Sequence, residues 1–305
     1  MCGLFGMYNY GGEIKNLGEV TNSLAFFSTL RGTDAAGIAY NNKNRVVIHK
    51  EAVSAEKIDF IHPDNIIGMT GHTRHATQGA VKNNYNNHPF FGKCGNLKFA
   101  LSHNGVISND DELRARYNIP KSRIETDSYI AVQLLEHQKT LDANSIKFMA
   151  EAVRGSFSFS ILDSSNTLWL VKGDSPLSII HFPRLNLYVY ASTDEILFRA
   201  LADTPLIHEV KKGQINEVVI KAGDILSFTP NGKIKCDRFD YVEYYGYRLN
   251  WRDFHYIDNF DGEEDTIEDL KAVAKYMGYS EDTIDELLDN GFTTDEIEEY
   301  IYCME

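Results

Sequence analysis

Apolar and polar positions alternate with two different periods along the first 240 residues. Short runs of β-branched and apolar residues, bounded by turn-forming residues, predict strands. Longer stretches, in which apolar residues recur every three or four positions, predict helices. The predicted strands cover residues 4–8, 38–40, 45–49, 66–73, 97–102, 156–162, 168–171, 187–191 and 224–229, and the predicted helices cover residues 16–29, 110–117, 126–138, 144–153 and 193–202.

The order and spacing of these elements predict an α+β fold. Several strands are joined by short polar turns, such as residues 163–166 and 230–232, so much of the sheet structure should be antiparallel. Strands outnumber helices, and the helices come in groups. This favours layers of sheet and helix over a doubly wound parallel sheet.

The composition changes at Tyr241, where seven aromatic residues lie within 241–256. The simplest explanation is an extended segment packed on the preceding domain, and the alternative is a docking surface. Three helical stretches separated by glycines follow, at residues 266–277, 281–289 and 294–302. We therefore expect three regions: a main domain at 1–240, an aromatic-rich connecting segment at 241–257, and an acidic three-helix unit at 258–305.

The formal net charge of −14 comes from 44 acidic and 30 basic residues, and it is unevenly distributed. Residues 258–305 contain 17 Asp and Glu and 2 Lys, whereas residues 1–257 contain 27 acidic and 28 basic residues. The near-neutral main domain has no basic stripe suited to nucleic acid and no glycine-rich phosphate loop. We therefore expect no nucleic-acid partner, and the acidic unit suits association with a basic protein surface.

The cysteines and the apolar runs indicate the cellular compartment of the protein. Cys2, Cys94, Cys236 and Cys303 lie far apart, which is typical of reduced thiols rather than of a disulfide framework. No apolar run reaches membrane-spanning length, and the N-terminus lacks the pattern of a secretory signal. The sequence predicts a cytoplasmic protein with no membrane partner.

The first residues of the chain, Met-Cys-Gly, suggest an N-terminal nucleophile. Initiator Met is normally removed before a small residue, so Cys2 would become the first residue of the mature chain. It would then carry a thiol nucleophile and an α-amino group with a pKa of about 8, which can act as a base. On its own, Cys2 is equally compatible with an incidental cysteine near a frayed chain end.

Three further stretches carry polar residues of the kind that active sites use. The first is Arg-Gly-Thr-Asp-Ala-Ala-Gly at 31–37. The second is GHTRHATQG at 71–79, followed by Asn-His-Pro at 87–89. The third is SHNGVISN at 102–109, followed by Glu-Thr-Asp at 125–127.

Together with Cys2, these motifs resemble in order and spacing the glutaminase domain of class II glutamine amidotransferases, which are N-terminal-nucleophile hydrolases. The likeness covers about the first 230 residues and is greatest to the glutaminase half of glucosamine-6-phosphate synthase. The resemblance implies a four-layer αββα sandwich of two mostly antiparallel sheets. It also implies hydrolysis of the side-chain amide of L-glutamine, through a thioester on Cys2, to glutamate and ammonia.

The resemblance and the chemistry of amide hydrolysis assign the same roles to the matching residues. Cys2 would attack the carboxamide carbon while its own α-amine accepts the thiol proton. The Asn104 side chain and the Gly105 N–H would donate to the developing oxyanion, although as an isolated pair they would suit a hairpin turn. Arg74 suits the α-carboxylate of the substrate, and Asp127 suits its α-ammonium group.

Four more positions match by resemblance. Thr77 and Gln78 correspond to substrate-contacting positions, whereas Arg31 and Asp34 correspond to positions that support the end of the chain carrying the cysteine. The chain departs from the family twice, since His75 replaces the usual Trp and Gln78 replaces the usual His. These departures keep two alternatives open: a stand-alone hydrolase of another γ-glutamyl amide, and a regulatory or binding protein with weak turnover.

A metal site is the alternative interpretation of the histidines. His72 and His75 have a ligand-like spacing, but in a strand they would point to opposite faces. No cysteine or carboxylate completes a zinc site at a familiar spacing. We therefore expect no metal and no cofactor, with His88 and His103 as polar packing residues beside the site.

The resemblance also raises the question of where the ammonia goes. In the synthase, a long acceptor domain follows the glutaminase domain. Here the 65 residues after position 240 are too few for a sugar-phosphate-binding α/β domain. We expect a separate acceptor subunit, docked through the aromatic run or the acidic unit, with release of ammonia to solvent as the alternative. A homo-oligomer is compatible with the sequence.

Overall fold

The computed structural model describes residues 2–11 and 14–242 and, beyond these, Ile267, Lys271, residues 280–289 and Ile297. The chain divides into two compact units, Met1–Gly246 and Tyr247–Glu305.

The first unit contains two sheets, in which every described strand pair is antiparallel. The strands are β1 (Gly3–Asn9), β2 (Ala35–Asn42), β3 (Arg45–Glu51), β4 (Gly68–Arg74), β5 (Phe90–Cys94), β6 (Leu97–Ile107), β7 (Gly155–Asp163), β8 (Leu168–Lys172), β9 (Ser178–Phe182), β10 (Leu187–Ala191), β11 (Asn216–Glu217), β12 (Asp224–Phe228) and β13 (Ile234–Arg238). The strand order is β11-β9-β10-β1-β4-β2-β3 in the seven-stranded sheet and β13-β12-β8-β7-β6-β5 in the six-stranded sheet.

The described helices pack on the outer faces of these sheets in the first unit. In chain order they are α1 (Leu17–Ser28), α2 (Asp110–Arg116), α3 (Tyr129–Gln138), α4 (Ala143–Ala152), α5 (Asp194–Ala202) and α6 (Ile207–Lys211), and α7 (Glu281–Asp289) lies in the second unit. Hydrogen bonds from side-chain caps explain where two of these helices begin. The Asp142 carboxylate accepts the N–H groups of Asn144 and Ser145 ahead of α4, and the Thr193 hydroxyl accepts that of Ile196 in α5.

Three apolar cores separate the layers. Because successive side chains of a strand point to opposite faces, Phe5 and Met7 of β1 pack under α1 and α5, whereas Leu4 and Tyr8 face the other sheet. In the same way, Phe99 of β6 packs under α3 and α4. The resulting order is helices, sheet, sheet, helices. This confirms the predicted α+β sandwich.

The structure contains an element at each predicted strand and helix of the main domain, and it adds several that the pattern missed. β5 and β13 were missed because each lies at a sheet edge, where every residue of β13 and every second residue of β5 is exposed or partly exposed. The short elements β9, β11 and α6 were also missed. β6 is longer than predicted, since it continues through Asn104 and Gly105 to Ile107. The Asn-Gly pair is therefore part of a strand and not a hairpin turn.

In the second unit, α7 coincides with the helix predicted at 281–289, and its Ile284 is buried. The helices predicted at 266–277 and 294–302 lie almost entirely outside the described residues, as does the connecting segment beyond Val242. The division at 240 and 257 stays a prediction. Within the described part of the chain, no helix is both long and apolar enough to cross a membrane.

Candidate active site

Strand pairing brings Cys2 to the end of β4. Gly3 lies opposite Thr73 in the register of β1 and β4, so Cys2 falls beside the residues that follow that strand. The His75 N–H donates to the Cys2 sulfur, and the thiol donates to the His75 carbonyl oxygen, each at 3.4 Å. Arg31 Nε donates to the Cys2 carbonyl oxygen at 2.8 Å. Arg31 therefore holds the main chain at Cys2.

The surroundings of the thiol favour its neutral form. Burial raises the pKa of Cys2 above its ordinary value of 9.0, and the His75 N–H and the positive charge of Arg74 oppose that rise. A thiol with a raised pKa is a poor nucleophile by itself.

Arg74 is the last residue of β4 and is almost completely buried. One terminal nitrogen, Nη1, donates to Asn87 Oδ1 at 2.6 Å, and the other, Nη2, donates to the carbonyl oxygens of Gln78 and Gly79. Burial lowers the pKa of Arg74, although nearby acidic groups oppose this. A guanidinium has five N–H donors, and three are used in these bonds, so its orientation is set by the protein alone.

The loop after β4 carries the two positions that depart from the family pattern. His75 is exposed, and its Nδ1 lies 4.0 Å from Asp34 Oδ2, which also accepts the Ala76 N–H at 2.8 Å. Asp34 thus supports this loop. Gln78 Oε1 accepts the Asp127 N–H at 3.1 Å. The Gln78 side chain therefore helps to position Asp127.

Asp127 lies just ahead of α3 and is buried. Its Oδ2 accepts the Ile107 N–H at 2.6 Å, and its Oδ1 accepts the Ser128 hydroxyl at 3.3 Å. Because Ile107 ends β6, these bonds tie the carboxylate to the strand that carries Asn104. Thr77, which the sequence also singles out, lies exposed in the loop after β4.

Gly105 has a backbone that only glycine adopts easily. Its φ is +130°, and an added Cβ would lie 2.0 Å from the Ser156 carbonyl oxygen on β7. The residue before it, Asn104, is buried, and its Nδ2 donates to Ser192 Oγ at 3.1 Å. Of the two residues predicted to hold an oxyanion, Asn104 is therefore fixed in the buried part of β6, and Gly105 begins its partly exposed end.

The comparisons with known proteins agree with this arrangement. A family model described as a glutamine amidotransferase domain matches residues 72–199. The chain is 33% identical over 242 residues to the isomerizing glutamine–fructose-6-phosphate aminotransferase of Staphylococcus aureus, across 73% of this chain and 38% of that protein. The protein of the same name from Listeria innocua is 32% identical over 226 residues, across 70% of this chain and 36% of the relative.

The chain contains a class II glutamine amidotransferase domain. It spans less than two fifths of the length of these curated relatives.

Solved structures support the fold of the amidotransferase domain. The glutamine phosphoribosylpyrophosphate amidotransferase of B. subtilis, complexed with ADP and GMP, superposes with a TM-score of 0.63 at 21% identity, over 78% of this chain and 49% of that one. A structure described as the allosteric regulatory enzyme of purine biosynthesis gives 0.61 at 20% identity, over 90% and 58%. These likenesses confirm the N-terminal-nucleophile hydrolase fold.

Two residues that hold the amidotransferase site, Ser192 and Lys50, were missed from the sequence. Ser192 bonds to Asn104 and to β1, and it was missed because it lies between a strand and a helix cap. Lys50 Nζ donates to the carbonyl oxygens of Asn87 (2.5 Å) and Pro89 (3.0 Å), which steadies the Asn87 side chain that binds the arginine. Burial lowers the pKa of Lys50 to about 8. The Asn-His-Pro motif was the one sequence signal for this cluster.

Three histidines of the amidotransferase domain, His72, His88 and His103, form a buried layer. The rings of His72 and His88 lie 4.1 Å apart between centroids, and His72 Nε2 lies 2.9 Å from the His103 carbonyl oxygen. Burial lowers the pKa of His72 to about 3, and it also lowers the pKa of His88 and His103. His75 lies apart from these three on the exposed loop. Among the residues that the structure describes, no group of three or more His, Cys, Asp or Glu is arranged to hold a metal ion.

Proposed function

We propose that the amidotransferase domain hydrolyses the side-chain amide of L-glutamine through Cys2. The observation that carries the proposal is the position of the Cys2 sulfur. It lies against the main chain of His75, which directly follows the buried Arg74, and just ahead of a strand that is tied through Ser192 to Asn104. This arrangement supports a site that combines a nucleophile, an oxyanion donor and a cation for the substrate head group.

The proposed reaction has two halves. After removal of Met1, the α-amine of Cys2 takes the thiol proton as the sulfur attacks the amide carbon. The Asn104 side chain and the Gly105 N–H stabilise the oxyanion, the C–N bond breaks, and the amine returns its proton to the departing ammonia. Water then attacks the thioester on Cys2, which gives glutamate and restores the thiol.

The head group of the substrate is proposed to bind between two opposite charges. Arg74 donates from its remaining N–H groups to the α-carboxylate, and Asp127 accepts from the α-ammonium group. Both side chains are held by hydrogen bonds to the protein before substrate arrives. Such preorganisation lowers the entropic cost of orienting the amide at the thiol. Thr77, which is exposed in the adjoining loop, completes the proposed set of substrate contacts.

Glutamate production from glutamine tests the proposal. The Met-processed protein should form glutamate and ammonia in equal amounts, and the Cys2→Ala variant should form neither, because the nucleophile is gone. Cys236→Ala is the matched control, since Cys236 is exposed on an edge strand, and it should retain full activity. Hydrolysis that persists in Cys2→Ala would exclude the mechanism. Hydrolysis of another γ-glutamyl amide, but not of glutamine, would instead identify a different substrate.

The role of the α-amine has its own control. A version in which one extra residue stays attached ahead of Cys2 turns the amine into a peptide nitrogen, which cannot act as a base. This version should bind glutamine but show no turnover. Turnover equal to that of the processed protein would mean that another group is the base.

We further propose that the ammonia acceptor is bound by a separate protein subunit. The support comes from charge, because residues 258–305 contain 17 acidic and 2 basic residues. A strongly acidic unit favours association with a basic protein surface. In this proposal the amidotransferase domain supplies ammonia, and the partner holds the molecule that receives it.

A further inference from the structure

Ser192 lies directly after β10 and has no solvent-exposed surface. Its hydroxyl oxygen accepts the Leu4 N–H at 2.7 Å and donates to the Leu4 carbonyl oxygen at 3.2 Å. The same oxygen accepts Asn104 Nδ2 at 3.1 Å. One hydroxyl therefore joins β1, two residues after Cys2, to β6 of the other sheet.

We infer that Ser192 is a positioning residue that sets the orientation of the Asn104 carboxamide, an inference that rests on the proposed glutamine hydrolysis. The proton count of the hydroxyl carries the argument. A serine hydroxyl has one proton and two lone pairs. The proton goes to the Leu4 carbonyl oxygen, and one lone pair is taken by the Leu4 N–H. The second lone pair is satisfied only by a donor, so the NH₂ end of Asn104 turns toward Ser192.

This orientation matters because the two ends of a carboxamide have nearly the same shape. Packing alone does not choose between them, and hydrogen bonding does. With Nδ2 bonded to Ser192, its second proton is available to the substrate oxygen. In the flipped amide, Oδ1 would take the place of Nδ2, lose the bond to Ser192 and repel the developing oxyanion.

The Leu4 bonds explain why a buried serine is held so firmly. The register of β1 and β10 pairs Phe5 with Ala191, so Leu4 and Ser192 are the next positions along the ladder. The Ser192 side chain takes both main-chain groups of Leu4 at this point. The hydroxyl that orients Asn104 is therefore fixed to the strand that carries the nucleophile.

Steady-state hydrolysis of glutamine by Ser192→Ala tests the inference. We expect kcat to fall by about tenfold or more, because the oxyanion donor loses its fixed orientation, whereas KM should change little. Ser160→Ala is the matched control. Ser160 is an equally buried serine on β7 that bonds to Tyr190 at 2.6 Å, and its loss should leave kcat within about twofold of wild type.

A double-mutant cycle separates positioning from a general structural effect. If Ser192 acts through Asn104, then adding Ser192→Ala to Asn104→Ala should leave kcat of that single variant unchanged within about twofold. Alkylation of Cys2 by iodoacetamide forms no oxyanion, so its rate should be the same in wild type and in Ser192→Ala. If Ser192→Ala does not fold, the Ser192→Cys variant takes its place, and its weaker hydrogen bonds should still lower kcat.

Two results would overturn the inference. One is a kcat of Ser192→Ala within about twofold of wild type, and the other is an equal loss of kcat with and without Asn104. The proposed function fails in a different way, since wild-type protein would then produce no glutamate from glutamine.

Discussion

Gly105 and Gly18 both lie in regular elements, but their surroundings differ. Gly105 has a φ of +130° and a carbonyl oxygen 2.0 Å from where a Cβ would be, whereas nothing lies within 4 Å of a Cβ at Gly18 in α1. The position of Gly105 in β6, next to Asn104, makes its backbone part of the proposed oxyanion site. The absence of a side chain at Gly105 is therefore as necessary for the proposed site as the thiol of Cys2.

This contrast predicts opposite effects of the same substitution. Gly105→Ala should lower the free energy of unfolding by at least about 2 kcal/mol and abolish glutamine hydrolysis. The reason is that the φ of +130° strains an alanine backbone and that the added Cβ clashes with the Ser156 carbonyl oxygen. Gly18→Ala should raise the free energy of unfolding by up to about 1 kcal/mol, because alanine favours helix. Urea denaturation measures both. Equal stability of the two variants would show that Gly105 does not require its unusual backbone.

The elements that pack around the site share a layer of buried histidines. His72 lies on β4, His103 on β6, and His88 in the turn before β5. Neither ring nitrogen of His88 has a hydrogen-bond partner among the described residues, and its ring lies 4.3 Å from that of Phe90. A charge on these rings would be poorly solvated, so the elements pack around neutral imidazoles.

The histidine layer predicts acid sensitivity. Unfolded histidines have a pKa near 6.5, whereas the folded pKa of His72 is lowered to about 3. Below pH 6.5 the unfolded chain therefore takes up protons that the native protein does not. Stability should be fully present above pH 6.5 and fall as the pH decreases, by about 1.4 kcal/mol per pH unit for each such histidine.

Urea denaturation between pH 7.5 and pH 5 measures this slope. His88→Gln should reduce it by roughly one histidine's share. Ser160→Ala is the control, because it changes a buried side chain that carries no charge, and it should leave the slope unchanged. A His88→Gln protein with the wild-type slope would show that His88 is protonated in the native state.

At the scale of the whole molecule, charge and compactness divide the chain at similar places. Along the chain, the first compact unit ends at Gly246, and the strongly acidic composition begins at Asp258. The residues proposed for catalysis and substrate binding all belong to the first unit. The acidic unit thus contributes no group to the proposed chemistry.

Deletion of residues 258–305 should therefore leave glutamine hydrolysis within about twofold of the full chain. It should also abolish the salt-sensitive part of binding to the acceptor subunit, because that attraction is electrostatic. The measurements are glutamate formation, and co-purification of a partner from the native source at low and high salt. Loss of the folded first unit would show that the deleted residues are part of its core. A full-length monomer that releases ammonia at full rate without a partner would contradict the separate acceptor subunit.

The sequence by itself determined most of the strands and helices of the main domain and the residue types of the proposed site. Strand and helix periods depend on neighbours along the chain, and amide hydrolysis requires particular groups, such as the Cys2 thiol, the Asn104 amide and the Arg74 guanidinium. Only the tertiary structure decided how these groups are held. Ser192 is 188 residues from Leu4 and 88 from Asn104, and Lys50 is 37 residues from Asn87. The pairing register of two sheets brings such residues together, and no local pattern records it.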